Sequence, residues 1–254
     1  MQGRTNEAII WYMYHSGFAV KTSNHLLIFD YYLDRPGSRA SANASILQEM
    51  HNRDVIVFAS HGHADHFTPT ILEWENRNQR IKYVLSHDIE LGKGRQEVTI
   101  VYPGHKYQVS GVEIEVLEST DMGVAFLVSC DDLRIFHAGD LNWWRWKGEP
   151  DEENSSMAEN YKKQIDLLKG KQIDIAFIPV DPRLEEYYSL GLVYFMQAVG
   201  AEMVFPMHFG MNYSVFQRLK NDISSAYLKH IVEIAPSNWQ FTFKRHSCSK
   251  GDTL

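Results

Sequence analysis

Apolar and polar positions fall in short, crowded runs through the first third of the chain. The segments AIIWYMYH (8–15), GFAVKT (17–22) and LLIFDYY (26–32) are β-branched or aromatic and are punctuated by Ser, Gly and Asn, the pattern of consecutive strands. Ile46, Leu47 and Met50 then recur at helical spacing and predict a helix over 42–51. DVIVFAS (54–60) is an apolar run with the length of a buried strand. Thr68 before Pro69 reads as the N-cap and first position of another helix. Short strands are expected near 81–86, 97–102, 106–109, 112–118, 123–129 and 133–137.

The second half changes rhythm. Met157, Tyr161, Ile165 and Leu168 repeat at helical spacing, and IDIAFIPV (173–180) reads as a strand. A helix over about 189–199 leads to the strand EMVFPM (202–207). SVFQRLKNDI opens with Ser214 and Gln217 in capping-box spacing, and Val215, Leu219 and Ile223 share one face. Strands near 230–234 and 239–244 follow. No Pro/Gly/Ser-rich linker divides the sequence, so residues 1–254 read as a single α/β domain of sheets covered by helices.

Composition narrows the classes of partner. A hydrophobic fraction of 44% fits a substantial core. No run approaches the roughly 18–20 apolar residues of a membrane span. MQGRTNEAII lacks a basic start followed by an apolar stretch, so the expectation is a cytoplasmic protein without a signal peptide or membrane partner. Cys130 and Cys248 are far apart with no CxxC, and read as reduced thiols. A formal charge of −7 with no basic tract disfavours a nucleic-acid partner.

The strongest chemical signal is HGHADH (61–66). Three imidazoles and a carboxylate within six positions repel when protonated and desolvate poorly when buried, so packing is a poor reason to gather them. Leaving a buried strand, such a loop projects alternate side chains to one side. His61 and His63 then face one point, while Asp65 and His66 face another a few ångströms away. Neutral imidazole and carboxylate suit a borderline metal such as Zn²⁺, and two ions about 3.5–4 Å apart form a common hydrolase clamp.

HGHADH resembles the HxHxDH signature of the metallo-β-lactamase fold, an αββα sandwich with metals at one edge. The resemblance implies further ligands at strand ends. Asp140, in LRIFHAGDLNWW, stands where the family has its bridging carboxylate, and His208, in MVFPMHFGMN, matches its last histidine. The opening pair YHSGFAV and LLIFDYY resembles the ascorbate-6-phosphate lactonase-like branch. β-Lactamases themselves usually carry Cys at the position of Asp140, so the resemblance points to the dinuclear hydrolases rather than to antibiotic hydrolysis.

One family position departs. The resemblance calls for another histidine between the loop and Asp140, and none occurs between His105 and His137. Asp121 falls near the expected place. Either Asp121 is an oxygen ligand of the site shared with His61 and His63, or that site is weak and the one built from Asp65, His66, Asp140 and His208 dominates. An oxygen ligand would bring Mn²⁺ or Fe²⁺ into play beside Zn²⁺.

Around these ligands, Trp143 and Trp144 read as a wall of the substrate pocket. Arg183, at the end of a buried strand, is a candidate anion anchor, with a local turn contact to Asp181 as its simpler role. His15 and His137 read as partners that orient ligating histidines, and Cys130 as a core thiol. The expected activity is hydrolysis of an ester, lactone or phosphoester of a small anionic substrate by a metal-activated water, with Asp65 orienting the water. Two other readings stay open: a phosphodiesterase or nuclease of the tRNA-processing type, and a metal-binding protein with weakened catalysis.

Overall fold

The computed structural model describes residues 7–32, 40–51, 53–76, 78–91 and 97–245. Seven strands form one sheet among these residues: β1 (Glu7–Tyr14), β2 (Gly17–Lys21), β3 (His25–Phe29), β4 (Asp54–Ala59), β5 (Ile81–Ser86), β6 (Val98–Val101) and β13 (Gln240–Lys244), in the order β13-β1-β2-β3-β4-β5-β6. Six form the second: β7 (Lys106–Val109), β8 (Val112–Glu118), β9 (Val124–Cys130), β10 (Leu133–His137), β11 (Ile175–Pro179) and β12 (Met203–Met207), in the order β12-β11-β10-β9-β8-β7. Each sheet is mixed. β3 to β6 run parallel, as do β10, β11 and β12, and the remaining pairs are antiparallel.

Side-chain alternation explains why the two sheets stack. Along β1, Ile10 and Tyr12 enter the core shared with Phe126, Phe136, Phe177 and Phe205 of the second sheet, while Trp11 and Met13 face the other way. β4 does the same, with Ile56 and Phe58 between the sheets and Val55 and Val57 outward. Burying each such aromatic contributes roughly 2–3 kcal/mol of transfer free energy.

The outward face of the first sheet is covered by α1 (Ala40–Glu49) through Ile46, and by a 3₁₀ helix, Pro69–Asn76, through Ile71 and Trp74. Tyr161 and Ile165 of α2 (Asp151–Asp166), Phe195 of α3 (Leu190–Ala198) and Leu219 of α4 (Val215–Asp222) join the core on the second sheet's side. The layering is helix, sheet, sheet, helix. The αββα expectation is met.

Three local expectations change. The segment after Thr68-Pro69 is 3₁₀ rather than α-helical. Ser214 precedes α4 but makes no capping bond, because its hydroxyl donates to Asn212 Oδ1 at 2.5 Å instead. The segment near 230–234 forms one bridge, Ile231 to Val204, in place of a strand; its run is short and follows the four-residue α5 (Ser225–Leu228). Cys248 lies outside the described residues.

A candidate metal centre at the strand ends

Parallel strands deliver their C-terminal ends to one edge, the usual place for a site in such sheets. β3 leads to Asp30, β4 to Ser60 and the 61–66 loop, β10 to Asp140, β11 to Asp181 and β12 to His208. The β1–β2 turn adds His15. His15, Asp30 and His208 all have left-handed backbones (φ 53°, 45° and 66°). For side chains other than glycine this conformation costs of order 1–3 kcal/mol each, and it is typical of groups held for function.

Two glycines let the loop and strands close up. A Cβ on Gly123 would stand 2.0 Å from the Ser60 carbonyl oxygen, and one on Gly139 would stand 2.7 Å from Ser60 Cβ and from the Val124 carbonyl oxygen. Both glycines have positive φ, 76° and 54°.

Two donor groups result. In the first, His61, His63 and Asp140 present one ligand atom each, all within 4.8 Å of one another. In the second, His15, Asp65, His66 and His208 do the same. Asp140 lies between them: Oδ2 is 3.5 Å from His61 Nε2, and Oδ1 is 3.3 Å from His66 Nε2 and 3.4 Å from His208 Nε2. His15 Nε2 is 3.4 Å from Asp65 Oδ2.

Buried partners turn these rings inward. Asp30 accepts the Ser60 amide at Oδ1, and the Ser60 hydroxyl and His66 Nδ1–H at Oδ2, each at 2.7 Å. His61 Nδ1 is 3.0 Å from Ser60 Oγ, and His208 Nδ1 donates to Asp181 at 3.0 Å. With Nδ1 occupied on His66 and His208, Nε2 carries the lone pair on those rings, while His61 Nε2 lies 3.0 Å from His63 Nδ1 within its own group. His137, expected to act beside the ligands, sits one layer back. Its Nε2 donates to the Ser16 carbonyl at 2.9 Å and its Nδ1 accepts the Gly139 amide at 3.2 Å, bracing the turn that presents Asp140.

Three buried atoms here make no hydrogen bond: His15 Nε2, His66 Nε2 and Asp140 Oδ1. Leaving such atoms unpaired is costly, and all three point into the space between the donor groups. Burial, with His208 and His66 adding to it, lowers the His15 pKa to about 2. Burial, with His66 adding to it, lowers that of His61 to about 4. Such imidazoles are neutral and have lone pairs to give. Burial opposes the charged form of His208, but Asp140 and Asp181 outweigh it and raise its pKa. Burial also raises Asp140. Nitrogen and oxygen donors of this kind fit a transition-metal ion.

The remaining residues of the sequence reading divide. Trp144 lies beside the donors, its ring edge-on to His208 with centroids 5.3 Å apart and its Nε1–H donating to the Asp140 carbonyl at 2.9 Å. Trp143 packs instead near Tyr161 and Tyr194 with Lys162 Nζ 4.3 Å from its ring centre, because the chain after Asp140 turns that ring toward α2 and α3. Trp146, in the same DLNWWRW run, stacks parallel to Trp144 and lines the cleft. Asp121 is exposed on the same cleft wall and outside both donor groups. Arg183 makes the expected contact with Asp181 and also reaches the cleft. His15 exceeds its expected supporting role: it stands among the donors. Its signal in the sequence was a histidine closing a strand at a tight turn, which is too common to single out.

A third group, His25, Cys130 and Asp131, sits at the β2–β3 and β9–β10 turns. Its polar atoms are engaged with Thr22, Asn24 and the Ser110 carbonyl, and burial pushes the Cys130 thiol up to about 12. It is a structural clasp.

Comparison with known proteins agrees with this geometry. The family described as a beta-lactamase superfamily domain matches residues 9–145, which include His15, the whole 61–66 loop and Asp140. The chain belongs to the metallo-β-lactamase superfamily. Within it, the UPF0173 metal-dependent hydrolase YtkL of Bacillus subtilis is 27% identical over 187 residues, covering 67% of this chain and 72% of that protein. Igni18, a metallo hydrolase of Ignicoccus hospitalis, superposes with a TM-score of 0.67 at 18% identity, over 94% of this chain and all of that one. The metallo-β-lactamase fold protein YhfI of Bacillus subtilis superposes with a TM-score of 0.59 at 14% identity, with the same coverage. As a superfamily member, the chain stands among metal-dependent hydrolases.

Proposed function

We propose that this protein hydrolyses an ester, lactone or phosphoester of a small anionic substrate, using two transition-metal ions, zinc in the first instance, held at the strand ends. One observation carries the reading. Seven donors from four separate segments converge, and their unbonded buried atoms face one space beside a carboxylate within reach of both groups.

His61, His63 and Asp140 would hold one ion, and His15, Asp65, His66 and His208 the other, with Asp140 shared. A divalent ion there supplies, when bound, Lewis acidity toward the substrate oxygen and a lowered pKa for water. The protein's own part is to orient and to exclude. Asp30 and Asp181 fix the His66 and His208 tautomers, and Trp144 keeps water from the far side of His208. Asp65, with 47% of its side chain exposed, is the donor-group carboxylate most open to solvent. It accepts a proton from the attacking water and holds that water's oxygen toward the substrate. Asp in place of Cys at position 140 gives a hard donor, which suits hydrolysis with either zinc or manganese.

Purified protein assayed on bis-p-nitrophenyl phosphate, sugar phosphates, lactones and a structured RNA tests the reading. Turnover of at least one small substrate is expected, abolished by chelator and restored by Zn²⁺ or Mn²⁺. Cleavage of the RNA at a defined end with no small-molecule turnover would contradict it.

A further inference from the structure

Two cavities meet at the donors. One, about 290 Å³, is bounded by Tyr14, Tyr32, Phe209 and Asn212. The other, about 320 Å³, is bounded by Thr120, Asp121, Trp144, Trp146 and Met157. Asp65, His208 and Arg183 line both. Each volume is near the lower end of the range for small-molecule sites, so each has room for a substituent of about one or two rings.

Arg183 is the wall between them, and it is pinned. Its Nε donates to Asp181 Oδ1 and Oδ2 at 3.0 and 2.8 Å, its Nη2 to Oδ2 at 2.5 Å, and its amide to Oδ1 at 2.8 Å. Asp181 is buried and also accepts from His208. The guanidinium therefore stays at the junction, with Cζ 5.8 Å from the Trp146 ring centre, while 65% of the side chain remains exposed to the cleft and solvent. A cation fixed between two cavities recognises charge at the middle of a ligand. A phosphomonoester carries its charge at one end and occupies one cavity. A carboxylic ester has no charge at the reacting centre. A phosphodiester bears one negative charge on the atom that joins its two substituents.

The geometry points to a small phosphodiester as the substrate, its phosphoryl group at the Arg183 junction and one substituent in each cavity. The inference rests on the hydrolase reading above and selects among its substrate classes. In the reaction, a water oxygen forms a new bond to phosphorus and the bond from phosphorus to one ester oxygen breaks. The electron pair leaves with that oxygen, which takes the water proton first accepted by Asp65 and departs as an alcohol. The other proton stays with the phosphomonoester product until it ionises. A nucleic-acid strand, which needs a run of phosphate contacts, exceeds two cavities of this size.

Calorimetric titration of the metal-containing protein with diphenyl phosphate and with phenyl phosphate reads the preference without turnover. The diester is expected to bind at least tenfold more tightly. Asn212→Trp and Met157→Trp each fill one cavity and should raise the KM for bis-p-nitrophenyl phosphate at least fivefold, with metal content unchanged. Arg183→Met should weaken diester binding at least tenfold, with partial recovery in Arg183→Lys. Equal or tighter binding of the monoester would overturn the inference, as would a diester KM indifferent to both cavity-filling variants. The wild-type titration decides the matter if a variant fails to fold. Lactone or carboxylic-ester turnover without diester binding would sink this inference and leave the hydrolase reading standing. Absence of all turnover at full metal content would count against that reading instead.

Discussion

Among the described residues, Asp140 is the carboxylate within 3.5 Å of imidazole nitrogens from both donor groups. A carboxylate so placed would serve both ions of the proposed pair, whereas Asp121, exposed and outside both groups, would serve at most one. Elemental analysis after dialysis should therefore find Asp140→Ala with less than about half the wild-type metal, and Asp121→Ala close to wild type. His15→Gln removes one of four donors from a single group and should lower the affinity of one ion only, by about tenfold or more. Full metal in all three variants would refute these roles. His61, His63, Asp65 and His66 were legible in the sequence because they crowd one loop. His15 was not, because the donor set it joins spans 15 to 208 and only folding brings those turns together. The missing family histidine had the same cause of ambiguity: position along a strand locates Asp121 on the right wall, but not the distance from its carboxylate to the donors.

At the scale of elements, strand ends aim the site and the opposite turns hold the strands in place. Asp131 accepts from Thr22 Oγ1 at 2.6 Å, from the Asn24 amide at 2.8 Å and from its side chain at 2.7 Å, and lies 3.1 Å from His25 Nδ1. It thereby clasps the β2–β3 turn of one sheet to the β9–β10 turn of the other. Burial alone would raise its pKa, but the bonds from Thr22, Asn24 and His25 outweigh burial and hold it well below the usual carboxylate range. A depressed folded-state pKa stabilises above the unfolded value and loses that stabilisation as pH falls toward the folded one. Asp131→Asn should thus cost about 1.5–3 kcal/mol near neutrality, and the gap to wild type should narrow below about pH 4. Denaturant melts between pH 5 and pH 3 provide the check, and a gap that widened on acidification would contradict it. Most strands were readable from apolar runs, since burial on both faces leaves no polar break. The 3₁₀ helix at Pro69–Asn76 and the lone bridge at Ile231 were not, because short segments take their form from the sheet they cover rather than from their own periodicity.

Across the whole molecule, two stacked sheets bring the C-terminal ends of β3, β4, β10, β11 and β12 to one edge, so the donors ride on the most buried strands of the core. Such a scaffold holds donor atoms within a few tenths of an ångström and leaves the surrounding loops free to set the substrate. The sequence made the fold and the class of chemistry readable through one loop and a run of buried strands. The shape of the cleft depends on Trp146, Met157 and Arg183, which lie far apart along the chain from Tyr14 and Asn212 and become neighbours only in three dimensions. On the proposed function, these strand ends hold two metal ions about Asp140. Anomalous diffraction from crystals of the protein supplemented with Zn²⁺, collected on both sides of the zinc edge, tests it most directly. Two peaks are predicted, one at coordination distance from His61, His63 and Asp140, the other from Asp65, His66, His208 and His15. No peak at this edge of the sheets, or zinc bound only elsewhere, would contradict it.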